Sequence, residues 1–301
     1  KRQGFEYEIF IQRLSNTGVE IGGDVRISDM NGIGNNNQGV GRNPSIAYNS
    51  SANEYIVVWE GADYVSGTAT EYEIFAQRVS NLGAEVGTND YQISDMGPAT
   101  NTDYDASYPD IVYNATSNEY FVVWQSDDNT APLVNNENEI WGQRLTSAGA
   151  ETGTNDIRIS SMGDDTELIA SERDNYTAQV PAVGWDASSN QYLVVWHGED
   201  DTEALLDGEG EIFGQIVTSA GALTGDELRI SDLGPVRNIN YDARDAVIAM
   251  NGAGQCLVAF DGDNDLGSLI DNEYEVWGQR FIVSTANHAP EGIVLDPDNV
   301  D

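Results

Sequence analysis

Short apolar runs alternate with stretches of acid, amide and glycine along the whole chain. One type of run is rich in β-branched and aromatic residues and ends in a large aromatic residue. It reads EYIVVW from Glu54, EYFVVW from Glu119, QYLVVW from Gln191 and QCLVAF from Gln255. This composition over a few positions, bounded by Gly, Asn, Asp and Ser, predicts β-strands. The sequence carries no sustained helical period, so we expect an all-β protein.

The runs belong to a unit that the chain repeats about every 65 residues. The clearest phrase of the unit, EIFGQR and its variants, begins at Glu8, Glu73, Glu139, Glu211 and Glu275. Three other phrases keep the same spacing, and we name the predicted strands by their order in the unit. They are A (PSIAYN from Pro44), B (EYIVVW from Glu54), C (EIFAQR from Glu73) and D (QISD from Gln92).

The four predicted strands differ in how much apolar surface they carry. Strand B is apolar on both alternating faces, which indicates burial on both sides, whereas strand D is short and polar, like a protected outer edge. Antiparallel units of four strands graded in this way are typical of β-propeller blades. An open β-solenoid is the alternative, although solenoid repeats are usually shorter. We therefore predict a β-propeller of four-stranded antiparallel blades.

The repeats cover residues 1–285, and residues 286–301 break the pattern. The predicted strands run C-D, then A-B-C-D three times, and finally A-B-C. A C strand therefore comes before the first D strand, and we expect that an A–B pair lies upstream. On this hypothesis the chain is a slice of a larger ring.

The net charge limits the kinds of partner that the chain can bind, and the cysteine count excludes an internal disulfide. The chain has 51 acidic and 13 basic residues, a formal net charge of −38 at pH 7. Nucleic acid and anionic membranes would repel this charge, whereas a divalent cation would neutralise neighbouring carboxylates. The sequence contains no apolar run long enough for a membrane span. Because Cys256 is the only cysteine, no internal disulfide stabilises the fold.

Because successive strands of a blade run in opposite directions, the acidic connections are predicted to lie on one face of the propeller. The A–B and C–D turns are short and uniform, whereas the B–C and D–A connections are long, variable and acidic. Calcium binds several carboxylate and carbonyl oxygens, and the stretch DGDNDLGSLIDNEYE from Asp261 resembles a calcium loop of the D-x-D-x-D type. The predicted calcium ligands are Asp127, Asp128, Glu137, Asp200, Asp201, Glu209, Asp261, Asp263, Asp265, Asp271 and Glu273. The alternative is that these carboxylates are only solvated.

Other site chemistry has little support in the sequence. Two histidines, His197 and His288, and one cysteine cannot supply the usual ligands of zinc. His197 occupies the position of Glu60, Gln125 and Asp261 in the other copies, and we interpret it as a loop residue. Carboxylates are so abundant that a glycosidase-like pair would arise by chance. We therefore expect that the chain is not an enzyme.

Several residues that recur in the unit are predicted to be structural. The aromatic residues that end the B strands are expected to pack between blades. They are Trp59, Trp124, Trp196 and Phe260. The glutamines of the C strands are expected to hold neighbouring strands through satisfied amides. They are Gln12, Gln77, Gln143, Gln215 and Gln279.

The asparagines of N-x-S/T sequences have two interpretations, whereas the single cysteine has a structural one. Asn49, Asn114 and Asn175 lie in N-x-S/T sequences, and they are either turn residues or glycosylation sites. Cys256 replaces a tyrosine of the other B strands, and we expect a buried, inert thiol.

The phrases EYxVVW and NExEIxGQRL resemble a repeat of very large secreted or surface-attached bacterial proteins, over residues 5–285. The tail NHAPEGIVLDPDNVD, from Asn287, is similar to the opening of a cadherin-like domain. The resemblance implies an extracellular or cell-surface location, an adhesive or matrix role and structural calcium.

Three functions remain open from the sequence. The leading hypothesis is a non-catalytic, calcium-stabilised propeller module of a surface adhesin or fibre protein. Its partners would be other copies of itself, surface glycans or surface proteins. The second is a filament subunit that assembles by strand addition. The third is a carbohydrate-binding or carbohydrate-active propeller that uses the acidic face.

Overall fold

The computed structural model describes residues 7–30, 39–62, 71–98, 101–128, 137–162, 177–199, 210–233, 241–263 and 274–283. These residues form five antiparallel sheets that follow one another along the chain, and we number them as blades 1 to 5. Successive blades pack against each other through apolar side chains. The prediction of an all-β propeller with four-stranded blades is confirmed.

The strands follow the predicted order within each blade. Blade 1 contains β1 (Phe10–Leu14) and β2 (Glu20–Arg26). Blade 2 contains β3 (Val40–Asn49), β4 (Glu54–Ala62), β5 (Glu73–Ser80) and β6 (Glu85–Gln92). Blade 3 contains β7 (Ala106–Asn114), β8 (Glu119–Asp127), β9 (Asn138–Thr146) and β10 (Glu151–Arg158). Blade 4 contains β11 (Ala178–Asp186), β12 (Gln191–Gly198), β13 (Glu211–Thr218) and β14 (Leu223–Arg229). Blade 5 contains β15 (Ala243–Met250), β16 (Gln255–Asp263) and β17 (Tyr274–Ile282).

The hydrophobic core lies between the blades. Each blade has an incoming face, toward the preceding blade, and an outgoing face, toward the next one. On the outgoing face of blade 3, Phe121, Val123 and Ile140 pack on the incoming face of blade 4, which includes Tyr192 and Trp196. All five side chains are fully buried. Each contributes about 1.5–3 kcal/mol by leaving water, so the interfaces between blades stabilise the fold.

The large aromatic residues of the B strands pack between blades, as predicted, although each strand continues past its aromatic residue. Trp59, Trp124 and Trp196 have no exposed surface. The indole nitrogen of Trp59 lies 3.4 Å from the sulfur of Met30, and that of Trp196 lies 3.4 Å from the sulfur of Met162. Each methionine follows the D strand of the preceding blade, so this contact joins neighbouring blades.

In blades 1 to 4, the glutamine of the C strand holds a bulge between strands C and D. Gln77 donates from Nε2 to the carbonyl oxygens of Arg78 (2.8 Å) and Val86 (3.3 Å), and its Oε1 accepts from the N–H of Asp90 at 3.2 Å. The register of β5 and β6 shifts here, and Asp90 has a φ of 41°. Gln143 makes the same set of contacts in blade 3. The prediction of satisfied amides is confirmed at both positions.

In blades 2 to 4, a buried glutamate near the start of the C strand binds the segment that follows strand D. The Oγ of Ser94 donates to Glu73, and the N–H of Met96 donates to the same carboxylate at 3.2 Å. Ser94 in turn accepts from the N–H of Ile74 at 2.7 Å. Equivalent contacts recur in blades 3 and 4. This connection was not predicted from the sequence.

Blade 2 differs from blade 3 in the charge around this glutamate. In blade 3, Arg158 forms an ion pair with Glu139. In blade 2, Gln92 takes the place of the arginine and donates to a backbone carbonyl instead. Burial raises the pKa of Glu139 to about 7 and that of Glu73 to about 8. The glutamate without an arginine is therefore the more easily protonated of the two.

The asparagines of the A–B turns are turn residues. Asn49 and Asn114 are fully buried. The Oδ1 of Asn114 accepts from the N–H groups of Thr116 (3.0 Å) and Ser117 (2.9 Å), which closes the turn. Because both side chains are buried, a glycan cannot attach to them in the folded chain. The third sequence of this type, at Asn175, lies outside the described residues.

Candidate functional site at the axial cavity

The A strands of blades 2 to 5 surround a cavity of about 470 Å³, which we call the axial cavity. Each A strand contributes residues from the same short stretch, for example Tyr108, Pro109 and Asp110 of β7. Asp110 holds neighbouring A strands together, because its carboxylate accepts from Ser45 Oγ at 2.7 Å and from the N–H of Val183 at 2.9 Å. The cavity wall is therefore built by sheet register and by contacts between blades.

The stretch that lines the cavity is a bulge with an unusual backbone conformation. One residue in each A strand has a positive φ although it is not glycine. These residues are Asn43 (50°), Tyr108 (52°), Val180 (48°) and Asp245 (53°). The conformation is unfavourable, most of all for a β-branched residue such as Val180, and such residues cluster at functional sites. Neighbouring blades hold the bulge, since Glu60 accepts from the N–H of Tyr108 (3.0 Å) and Gln125 from that of Val180 (2.9 Å).

In blades 2 and 3, the residue after the B-strand tryptophan therefore binds a bulge residue of the next blade that lines the axial cavity. In blade 4 this residue is His197, which lies within β12 and pairs with Gln179 and Ile212. The interpretation of His197 as a loop residue was wrong, because strand B extends past the tryptophan. Its Nε2 lies 3.2 Å from Oε1 of Gln179, and burial lowers the pKa of the imidazole. His197 is therefore neutral at pH 7.

Blade 2 places a charged and aromatic group beside the cavity. Arg42 forms an ion pair with the buried carboxylate of Glu60, which also accepts from Nδ2 of Asn43 at 3.0 Å. The guanidinium of Arg42 lies over the ring of Tyr72, 4.6 Å from its centroid. The Arg42 side chain is 52% exposed, so this cation remains accessible to solvent. We call Arg42, Glu60 and Tyr72 the blade 2 group.

Blade 5 repeats the arrangement at equivalent positions. The Nε of Arg244 lies 3.3 Å from Oδ2 of Asp261, and its guanidinium lies 3.9 Å from the centroid of the Tyr274 ring. Here the carboxylate is more accessible, since the Asp261 side chain is 32% exposed. We call Arg244, Asp261 and Tyr274 the blade 5 group. Blades 3 and 4 carry Gln125 and His197 in place of the acidic residue.

A second carboxyl lies next to each group, just before an A strand. Asp105 accepts from the N–H of Tyr72 at 2.8 Å. Burial raises the pKa of Asp105, and the negative charge of Glu60 adds to the effect. Asp242 shows the same behaviour, with burial as the main cause and Asp261 as a contributor. Each group therefore combines a carboxylate paired with arginine and a neighbouring carboxyl whose pKa is raised by burial.

Of the predicted calcium ligands, the blade 3 set lies wholly within the described residues and the blade 5 set lies partly within them. Asp127 ends β8 opposite Asn138 of β9, so Asp127, Asp128 and Glu137 lie at the base of the B–C loop of blade 3. Asp261 and Asp263 lie within β16, and Asp261 pairs with Arg244.

The rest of the calcium prediction lies where the structure gives no description. These predicted ligands are Asp200, Asp201, Glu209, Asp265, Asp271 and Glu273. Over the described ranges, no three or more Asp, Glu, His or Cys side chains form a group that could hold a metal ion. The calcium sites therefore stay a prediction. The same ranges contain no helix long and apolar enough to cross a membrane.

The fold is similar to that of several solved structures. One is an α-L-arabinanase of Penicillium chrysogenum complexed with arabinobiose, with a TM-score of 0.52 and 11% identity over 80% of this chain and 62% of that chain. Another is a GH93 α-L-arabinofuranosidase of Fusarium graminearum with arabinobiose, with a TM-score of 0.53, 9% identity and the same coverage. A protein of unknown function from Dyadobacter fermentans has a TM-score of 0.51 and 10% identity over 80% of this chain and 65% of that chain.

These likenesses show the fold, and the chain spans less than two thirds of each of these neighbours. No known family matches the sequence, and no curated protein matches it either. Fold and site together define a β-propeller with charged and aromatic groups beside an axial cavity.

The expectation that this chain is not an enzyme is contradicted by the comparison. Two of the structures that share its fold are enzymes, and both hold arabinobiose. The expectation was based on the lack of a recognisable catalytic motif in the sequence. Carboxylates that act on a glycosidic bond are brought together by tertiary structure, so a local motif is not required.

Proposed function

We propose that this β-propeller is a carbohydrate-active module that binds a glycan at the axial cavity. The observation that carries the proposal is the pair of matched groups, each with an arginine, a carboxylate and a tyrosine, whose arginines lie on A strands that line that cavity. A tyrosine ring offers an apolar face to a sugar ring, while guanidinium and carboxylate groups form strong hydrogen bonds with hydroxyls. The two fold neighbours with bound arabinobiose support this class of ligand.

Hydrolysis of a glycosidic bond is the reaction that these groups favour. Glycoside hydrolases use one carboxyl that donates a proton and one ionised carboxylate. Asp242, whose pKa is raised by burial, and Asp261, which is paired with Arg244, provide this combination. The blade 5 group fits the role better than the blade 2 group, because Asp261 is partly exposed whereas Glu60 is fully buried. In this scheme Asp242 protonates the leaving oxygen and Asp261 acts as base or nucleophile.

Binding is tested by calorimetric titration with arabinobiose and a panel of neutral and acidic oligosaccharides. We expect Tyr274→Ala to lower the affinity for the bound sugar about tenfold or more, because the ring forms part of the proposed site. The matched control is Tyr48→Ala, an exposed tyrosine outside the axial groups, which should leave the affinity unchanged. The proposal fails if no sugar of the panel binds, or if both variants weaken binding equally.

Hydrolysis is tested by release of reducing ends from the sugars that bind. Asp242→Asn should lower the rate about 10²–10⁴-fold and leave binding intact, because it removes the proton donor. The control is Asp232→Asn, which changes an exposed carboxylate that pairs with Arg229 in blade 4. Binding without any hydrolysis by the unmodified chain would restrict the function to recognition.

The adhesive or fibre role, the extracellular location and the bound calcium are proposals based on the resemblance to secreted bacterial repeats. The net charge of −38 supports the calcium proposal, since a divalent cation in the B–C loops would reduce repulsion among carboxylates. We expect a chelator to lower the melting temperature and added calcium to restore it. Magnesium at the same ionic strength serves as the control. An identical transition in calcium and in chelator would contradict structural calcium.

A further inference from the structure

The incoming face of blade 2 is exposed where the same face of the next blade is buried. Ile46, Tyr48 and Tyr55 have exposed fractions of 56%, 46% and 36%. At equivalent positions in blade 3, Ile111 is 6% exposed and Tyr120 is fully buried. The residue types are the same, so the difference lies in what packs against them.

In the later blades, the A–B hairpin of the preceding blade covers this face. On blade 4, for example, Val112, Phe121 and Val123 of β7 and β8 pack against Val183 and Tyr192. Within the described residues, blade 1 contributes only its C strand, β1, and its D strand, β2. Among the described residues, therefore, no A–B hairpin covers the incoming face of blade 2.

A groove marks this position between β1 and blade 2. It has a volume of about 280 Å³, and its lining includes Ile11, Leu14, Ile46, Tyr55 and Val57. In the part of the chain that the structure describes, β1 pairs with β2 on one edge only. Its other edge corresponds to the edge at which β9 pairs with β8 in blade 3. The groove thus combines an apolar floor with a row of backbone donors and acceptors.

We propose that this groove binds a two-stranded β-hairpin with the A–B sequence pattern of this repeat, which completes blade 1. The second strand of the hairpin pairs with β1 in the antiparallel register of β8 and β9. Its outgoing aliphatic and aromatic side chains cover Ile46, Tyr48 and Tyr55. Addition of strands to an exposed sheet edge is a general mode of recognition in which backbone hydrogen bonds give affinity and side-chain pockets give specificity.

Polar contacts between the later blades define the hairpin further. The turn residue Asn114 donates from Nδ2 to the hydroxyl of Tyr192 in the next blade at 3.0 Å. Tyr55 has the equivalent position in blade 2, so an asparagine in the hairpin turn has a ready acceptor. The hairpin therefore requires an A–B turn of the NATSN or NSSAN type as well as apolar strands.

A second folded copy of the chain is a poorer occupant. The A and B strands of blades 2 to 5 already pair with each other and with a C strand in their own sheets. A copy would have to open one of its blades to donate a hairpin. A glycan is also a poor occupant, because the exposed side chains of the face are largely apolar.

The experiment adds the hairpin to the chain and measures how well it shields the face. A second copy of residues 106–138 is fused directly before Glu8, in the register in which Glu139 corresponds to Glu8. Ile46→Cys provides a thiol on the exposed face. The natural thiol of Cys256 is buried, which raises its pKa to about 11, so it reacts slowly. We expect the fusion to lower the labelling rate at position 46 at least about tenfold relative to the unfused protein.

The matched control is the same fusion with Phe121→Asp in the appended copy only. This substitution places a carboxylate against the apolar face, so we expect the labelling rate of the unfused protein to return. Tyr48→Cys is a second reporter on the same face if Ile46→Cys does not fold. Equal labelling with and without the hairpin, or equal shielding by both fusions, would overturn the proposal. So would shielding in the unfused protein that grows with concentration, because a second copy would then be the occupant.

Discussion

Blade 3 carries the same repeat as blades 2 and 5, but the three blades are stabilised to different extents. Ile140 of blade 3 is fully buried between two blades, whereas Val276, at the same position of blade 5, is 82% exposed. Tyr120 and Tyr55 show the same contrast on the opposite face. Local sequence therefore forms each strand, while the neighbouring blade determines how much each side chain contributes to stability. Repeat proteins in which units contact only their neighbours behave in this way.

The largest expected effect on stability concerns two equivalent isoleucines, of which Ile111 is buried and Ile46 is exposed. Ile111→Ala should lower the free energy of unfolding by about 3 kcal/mol, because it leaves a cavity between blades 2 and 3. Ile46→Ala should change it by less than about 0.5 kcal/mol, because Ile46 is largely exposed. Urea unfolding of both variants measures the difference. Equal losses would show that the incoming face of blade 2 is covered in solution.

The second expected effect is a pH dependence of stability that differs between blades 2 and 3. Burial raises the pKa of Glu73 from its ordinary value of 4.5 to about 8. The folded chain therefore holds this proton more tightly than the unfolded chain, and the stabilisation is present below pH 4.5 and is lost as the pH rises towards 8. We expect this loss to be on the order of 3 kcal/mol between pH 5 and pH 8.

The measurement is the free energy of unfolding of the wild type and of Glu73→Gln at several pH values. The glutamine variant should lose less stability as the pH rises, because it has no proton to release. Glu139→Gln is the comparison in blade 3, where the pKa is raised to about 7. The loss of stability that Glu139 causes should be complete at a lower pH than the loss that Glu73 causes. A pH dependence that is the same in wild type and Glu73→Gln would contradict the prediction.

The smallest effect concerns an arginine that joins neighbouring blades. Arg144 pairs with Glu119 at 2.7 Å and donates to the carbonyl oxygen of Ala220, in the C–D turn of blade 4, at 3.1 Å. Arg144→Met should cost about 1–2 kcal/mol, because it also leaves the buried Glu119 carboxylate without its ion pair. Arg280→Met is the control in blade 5, where the arginine is exposed and the change should stay within about 0.5 kcal/mol. Thermal unfolding that gives equal shifts for the two variants would refute the assignment.

The fold could be predicted from the sequence because the repeat displays its strands several times. The B strand beginning at Glu54 and the C strand beginning at Glu73 start at the predicted residues. The site could not be predicted in the same way. Arg42, Glu60 and Asp105 are far apart in sequence, and strand register together with contacts between blades brings them near each other.

One sequence signal did mark the site. The B-strand tryptophan is kept in three copies, whereas the residue after it changes from Glu60 to Gln125 to His197. A position that varies beside a constant core residue is typical of a surface that the scaffold supports. The variation indicates the position after the tryptophan, but it does not identify the arginine that pairs with this position in blades 2 and 5. Neither the tyrosine beneath each arginine nor the raised pKa of Asp242 follows from the sequence, because both depend on burial.

The strands, their order and the turns follow from the amino-acid sequence alone, because side-chain alternation and turn chemistry act over a few neighbouring residues. Which copies of a residue are buried, and which charged side chains pair with each other, depends on how the blades pack. Burial and charge pairing depend on the adjacent blade, and each blade meets its neighbour through residues about 65 positions away in the chain. Equivalent residues such as Ile46 and Ile111 therefore differ in exposure although the sequence around them is nearly the same.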